Sequence, residues 1–128
     1  MTAQFNHTII ASLDPQRMAK FYLDLLEARE EPGWGPFANI SLAHGVLLQF
    51  ASPPIDFPPQ HYAYLLDDEH FDRAYATVCK REIEHWADPQ RQLAGRINRD
   101  HGGRGIYLLD PSGHYLELIT RSYLPVAG

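Results

Sequence analysis

An α+β fold, two βαβββ modules whose strands form a curved mixed sheet around a cup, is the architecture predicted for this 128-residue chain. Three observations predict it: a strand–helix–strands pattern that occurs twice, a histidine heading the first strand of each copy, and a glutamate inside the otherwise apolar last strand.

The first module, about residues 4–51, opens with Asn6-His7-Thr8-Ile9-Ile10, a short strand in which His7 shares a side with Phe5 and Ile9. Asp14-Pro15 then starts a helix, because Asp caps free N–H groups and Pro is tolerated in the first turn. Met18, Phe21, Tyr22, Leu25 and Leu26 recur at helical spacing and make its apolar face. The module ends on His44-Gly45-Val46-Leu47-Leu48-Gln49-Phe50, a glycine turn leading into a strand.

Residues 52–59 contain four prolines, which favour a stiff extended linker. The second module, about residues 60–122, repeats the plan: His61 begins a strand shared with Ala63 and Leu65, Asp67-Asp68 caps a helix, and Phe71, Ala74, Tyr75 and Val78 form its face. Its end, Ser112-Gly113-His114-Tyr115-Leu116-Glu117-Leu118, matches the end of module 1. The offset between matching residues is 54 at the first strands and 68 at the last. The extra length falls between Trp86 and Gly105, a polar stretch expected to be a loop with a short strand near 96–98. Each half is too small to be stable alone, so residues 1–128 are expected to form one domain.

Bulk properties exclude several classes. With 16 acidic and 11 basic residues, the basic ones scattered singly, neither nucleic acid nor membrane is an expected partner. The start MTAQFNHTII has no basic or apolar leader pattern, and no apolar run reaches spanning length, so a cytoplasmic location is expected. The single cysteine, Cys79, is expected to be a small buried apolar residue of the second helix, and His44, His70 and His85 to lie at the surface.

If the modules are related by a pseudo-twofold, equivalent strands lie around one cup, and His7, His61, Glu117 and Gln49 come from matching positions. Two imidazoles and a carboxylate, with the amide as a weaker fourth position, suit one divalent metal ion such as Fe2+, Mn2+, Ni2+, Co2+ or Zn2+. A carboxylate inside LELIT needs a compensating partner, and a cation serves.

The NHTI strand, HYAYLLDD and above all GGRGIYLLDPSGHYLELIT resemble the vicinal oxygen chelate superfamily, the group of glyoxalase I, bleomycin-resistance proteins, extradiol dioxygenases and fosfomycin-resistance thiol transferases. The resemblance runs from about Phe5 to Arg121 and implies the paired βαβββ fold with ligands at His7, His61 and Glu117. At the fourth position, where bacterial-type glyoxalase I has a glutamate acting as ligand and base, this chain has Gln49, which cannot take up a proton usefully. The resemblance thus implies a metal-dependent dioxygenase-like or lyase/isomerase-like enzyme acting on a small organic substrate. A metal-independent, bleomycin-resistance-like binding protein is the alternative, and a fosfomycin-resistance-like thiol transferase the minor one. Similar chains are often homodimers, some with modules swapped between copies.

Further residues complete the expected site. His101 in the Arg99–Arg104 loop is a candidate mobile acid or base, and Tyr107 falls where the transferases approach their substrate. Asn98, Arg104 and Tyr62 are candidate substrate contacts, Arg104 as a fork for an anion or, equally, as a partner of a surface acid. His114 is read as part of the Asp110–Gly113 turn, and Trp34 and Phe37 as apolar wall.

Overall fold

A computed structural model describes residues 2–125. The chain divides into two compact units between Pro58 and Pro59.

The first unit runs β1 (His7–Ala11), α1 (Pro15–Leu26), β2 (Arg29–Trp34), β3 (Phe37–Ser41) and β4 (Leu47–Ala51), with sheet order β1-β4-β3-β2. Only β1 and β4 are parallel. Asp14 caps α1 by accepting from the Arg17 N–H at 3.2 Å, and the helix stops where Glu27 turns left-handed at φ 52°. The buried helix face, Met18, Tyr22 and Leu25, shares the core with Ile10, Ile40, Leu48 and Phe50. Tyr22 and Phe50 meet at 4.8 Å between ring centres. Of the predicted face, Phe21 alone is only half-buried.

The second unit repeats this order: β5 (His61–Leu65), α2 (Asp68–Lys80), β6 (His85–Trp86), β7 (Gly105–Leu109) and β8 (Tyr115–Ile119), arranged β5-β8-β7-β6 with β5 and β8 parallel. His7 pairs with Leu47 and His61 with Tyr115, so the two repeat offsets are also offsets of strand register. Phe71, Ala74 and Val78 of α2 are buried, as are Ile106, Leu108, Leu116 and Leu118 of the sheet. The long loop after β6 carries two isolated bridges, Trp86 to Ala94 and Asn98 to Gly105, so the strand expected near 96–98 is reduced to one pair.

Two expectations are corrected. Cys79 is exposed, because Phe71, Ala74 and Val78 fix the buried stripe and Cys79 lies one step, about 100°, beyond it. His85 is buried, not superficial: its ring bonds the Ile83 carbonyl at 3.0 Å and the Tyr75 hydroxyl at 3.1 Å. His114 is wholly buried and accepts the Gln60 N–H on Nδ1 at 2.9 Å. Among the described residues no helix is long and apolar enough to cross a membrane.

Candidate metal centre

Strand register decides which side chains meet. Ala63 and Tyr107 both pair with Glu117, and His61 lies two residues before Ala63, so His61, Glu117 and Tyr107 share the face opposite α2's core. The His61 Nδ1 lies 3.2 Å from the Tyr115 carbonyl oxygen. A carbonyl only accepts, so Nδ1–H is directed at it and Nε2 is turned toward the carboxylate. That Nε2 faces Glu117 Oε1 at 3.2 Å. A carboxylate oxygen and an imidazole nitrogen so close share a proton or a cation between them. Metal bonds of about 2.0–2.2 Å meeting near a right angle span such a gap.

Glu117 is only 3% exposed. Its second oxygen, Oε2, accepts a hydrogen bond from the Tyr123 hydroxyl. Tyr107 is held well above the ordinary tyrosine pKa by burial first, then by its bonds to the Tyr123 hydroxyl and to Glu117. Tyr123 is raised chiefly by its bond to Glu117. Both are therefore neutral hydrogen-bond donors near neutral pH. The ring of His101 stacks on Tyr123 with centres 4.1 Å apart, and Tyr107 stacks on His61 at 6.3 Å.

In the first unit the equivalent positions are again neighbours: Ile9, two residues after His7, pairs with Gln49, and Gln49 with Asn39. His7 Nδ1 lies 2.7 Å from the Asn6 side-chain oxygen, which leaves Nε2 as an available donor. Gln49 is 5% exposed. Asn39 donates to the Pro32 carbonyl at 3.0 Å, but its buried oxygen Oδ1 is unpartnered among the described residues. A buried oxygen without a donor, such as Asn39 Oδ1, and an imidazole Nε2 are groups that a cation would satisfy. Each unit thus carries its own pair of candidate metal ligands, His61 with Glu117 in the second and His7 with Gln49 in the first. Among the described residues, no three of His, Cys, Asp and Glu are placed to hold one as a group.

The other predicted residues are placed differently. Tyr62, expected at the substrate, pairs with core Leu116 and sets its ring edge-on to buried His114, on the face opposite His61. Asn98 spends its amide on the Ala87 carbonyl at 2.8 Å and the Asp100 N–H at 3.2 Å, which staple the loop. Arg104 bonds Asp72 at 2.7 Å and Asp68 at 3.4 Å and lies 4.7 Å from the centre of the Phe71 ring. It meets the surface acids instead of presenting a free fork. Arg104→Ala should therefore lower stability by about 1 kcal/mol, the worth of an exposed ion pair with some ring stacking, and leave substrate KM unchanged. A KM raised tenfold at unaltered melting temperature would restore the substrate role. Trp34 is 55% exposed, a poor wall.

Tyr123 escaped sequence reasoning altogether. It follows β8 in an irregular segment with neither periodicity nor turn chemistry, and only the neighbouring Glu117 gives it meaning.

No protein-family model matches the chain. Among solved structures, oxidase ChaP-H2 is 40% identical with a TM-score of 0.91, covering 96% of this chain and 97% of that one. Glutathione transferase FosA of Serratia marcescens is 26% identical over 124 residues, 92% of this chain and 81% of that protein. A glyoxalase/dioxygenase from Nostoc punctiforme, at 22% identity and a TM-score of 0.69, covers 93% of this chain and 91% of its own and shares the fold.

Proposed function

From the premise that the chain belongs to the vicinal oxygen chelate superfamily, we propose that it is a divalent-metal-dependent oxidase acting on a small organic substrate through that substrate's oxygens. The observation that carries the reading is the His61–Glu117 pair: an imidazole nitrogen held 3.2 Å from a buried carboxylate oxygen. Likeness to an oxidase at 40% identity favours oxidation with dioxygen as electron acceptor. Gln49 disfavours the lyase/isomerase alternative, because the amide cannot shuttle a proton.

His61 and Glu117 would hold the metal with His7, and Gln49 would serve as weak ligand or orient a water, in a homodimer. The bound ion would act as a Lewis acid toward two substrate oxygens or one oxygen and dioxygen. Around it, the Tyr115 carbonyl keeps the His61 ring in place, and Tyr107 offers a neutral hydroxyl to negative charge developing on the substrate. His101, exposed on its loop, is the candidate group for exchanging protons with solvent.

Elemental analysis of anaerobically purified protein tests this, with His61→Ala as control and a catechol as the first oxygen-uptake probe. About one Fe, Mn, Co, Ni or Zn per chain, lost in the variant, is expected. A metal-free protein that resists reconstitution would leave a metal-independent small-molecule binder as the better description. The likeness to FosA favours a second reading, transfer of glutathione to a small electrophile, for which glutathione consumption with fosfomycin is the assay.

A further inference from the structure

We propose that Tyr123 is a positioning residue that ties up Glu117 Oε2, so that the carboxylate presents only Oε1 toward His61 and the metal. The inference rests on the metal-centre reading above and adds a residue outside the repeat, with a coordination mode.

Its basis is the use of each atom. Glu117 has two oxygens, and both are engaged: Oε1 by His61 Nε2 and Oε2 by the Tyr123 hydroxyl, with Tyr107 bonded to both Glu117 and Tyr123. A hydroxyl donating to Oε2 draws charge from that oxygen and fixes the carboxylate plane, which disfavours chelation through both oxygens. One-oxygen ligation leaves an additional coordination position for substrate. Packing of the tyrosine ring does not account for this arrangement. Tyr123 is 51% exposed, in a segment outside any strand or helix, yet its hydroxyl is directed at a carboxylate that is 3% exposed. A ring placed merely to cover apolar surface would leave its hydroxyl in water. The His101 ring, stacked at 4.1 Å, instead braces Tyr123 from the side.

The test compares the full-length parent with Tyr123→Phe, which deletes one oxygen from a half-exposed side chain. Both proteins are titrated with Co2+ after metal removal, reading affinity, the visible absorption of the bound ion, and the melting temperature before metal is added. The variant is expected to bind Co2+ about 10–100-fold more weakly, as for lost outer-shell partners. Its visible spectrum should shift as the carboxylate closes onto the ion through both oxygens, while the metal-free melting temperature falls only modestly, since the buried Oε2 gives up one hydrogen bond. A merely structural tyrosine would lower the melting temperature while leaving both the Co2+ affinity and the spectrum those of the parent, and that outcome overturns the proposal. Equal affinity with an identical spectrum also overturns it and leaves the metal centre standing. If the parent itself binds no Co2+, the metal reading falls, and this inference with it.

Discussion

Glu117→Gln should cost metal affinity about a hundredfold or more, yet leave the metal-free fold as stable as the parent or slightly more so. The direction follows from where Glu117 sits: it is 3% exposed on β8, between core residues Leu116 and Leu118. Burying a carboxylate is expensive unless it is compensated, and without metal the compensation comes from His61, Tyr123 and Tyr107. Gln has the same shape. Its oxygen can accept from Tyr123, and its amide can donate to His61 Nε2, so the hydrogen bonds survive without the charge. With metal the balance reverses, since a neutral amide is a far weaker ligand than a carboxylate. At a metal concentration of about 100 times the parent dissociation constant, binding stabilises the parent by about 2.7 kcal/mol, and hundredfold weaker binding reduces this to about 0.4 kcal/mol. Thermal melts with and without Mn2+ or Co2+ measure both quantities. A variant that keeps the parent's metal-induced stabilisation would remove Glu117 from the ligand set.

The parts of this centre that were legible in the sequence are those that repeat. His7 and His61 head strands whose register the structure reproduces in both units, and Gln49 and Glu117 occupy the same place in β4 and β8. Period-two alternation therefore puts each histidine on its partner's face. What was not legible depends on contacts without period. Tyr62 is an aromatic that suits the wall of a cup, but it directly follows His61 in the strand and so lies on the opposite face, against His114. Arg104 reads in the sequence equally as a fork or as the partner of a surface acid, and the structure shows the second; its acids, Asp68 and Asp72, lie more than 30 positions earlier and meet it only through the fold. Cys79 and His85 exchanged their expected burial for a related reason. The stripe of α2 ends one step short of Cys79, while the two-residue strand β6 was too short to announce that His85 lies under Tyr75.

Phe71→Ala should destabilise the second unit by about 3–5 kcal/mol, the usual cost of emptying a fully buried phenylalanine site. Phe71 is 0% exposed. Its ring lies parallel to Tyr75 at 6.2 Å, and Arg104 covers it at 4.7 Å. Truncation opens a cavity and also removes the surface on which the Arg104 guanidinium rests. The Arg104 N–H is in turn bonded to Thr120 at 2.8 Å, just beyond β8, so the damage reaches the strand that carries Glu117. Trp86 reports the change: it is 7% exposed in this unit, whereas the other tryptophan, Trp34, is already 55% exposed, so a red shift in emission comes mainly from Trp86. Urea unfolding followed by that emission should show a markedly lower midpoint at similar slope. A loss under about 1 kcal/mol would mean that α2 closes over the space, and that the placement of Glu117 depends on the sheet more than on the helix beneath it.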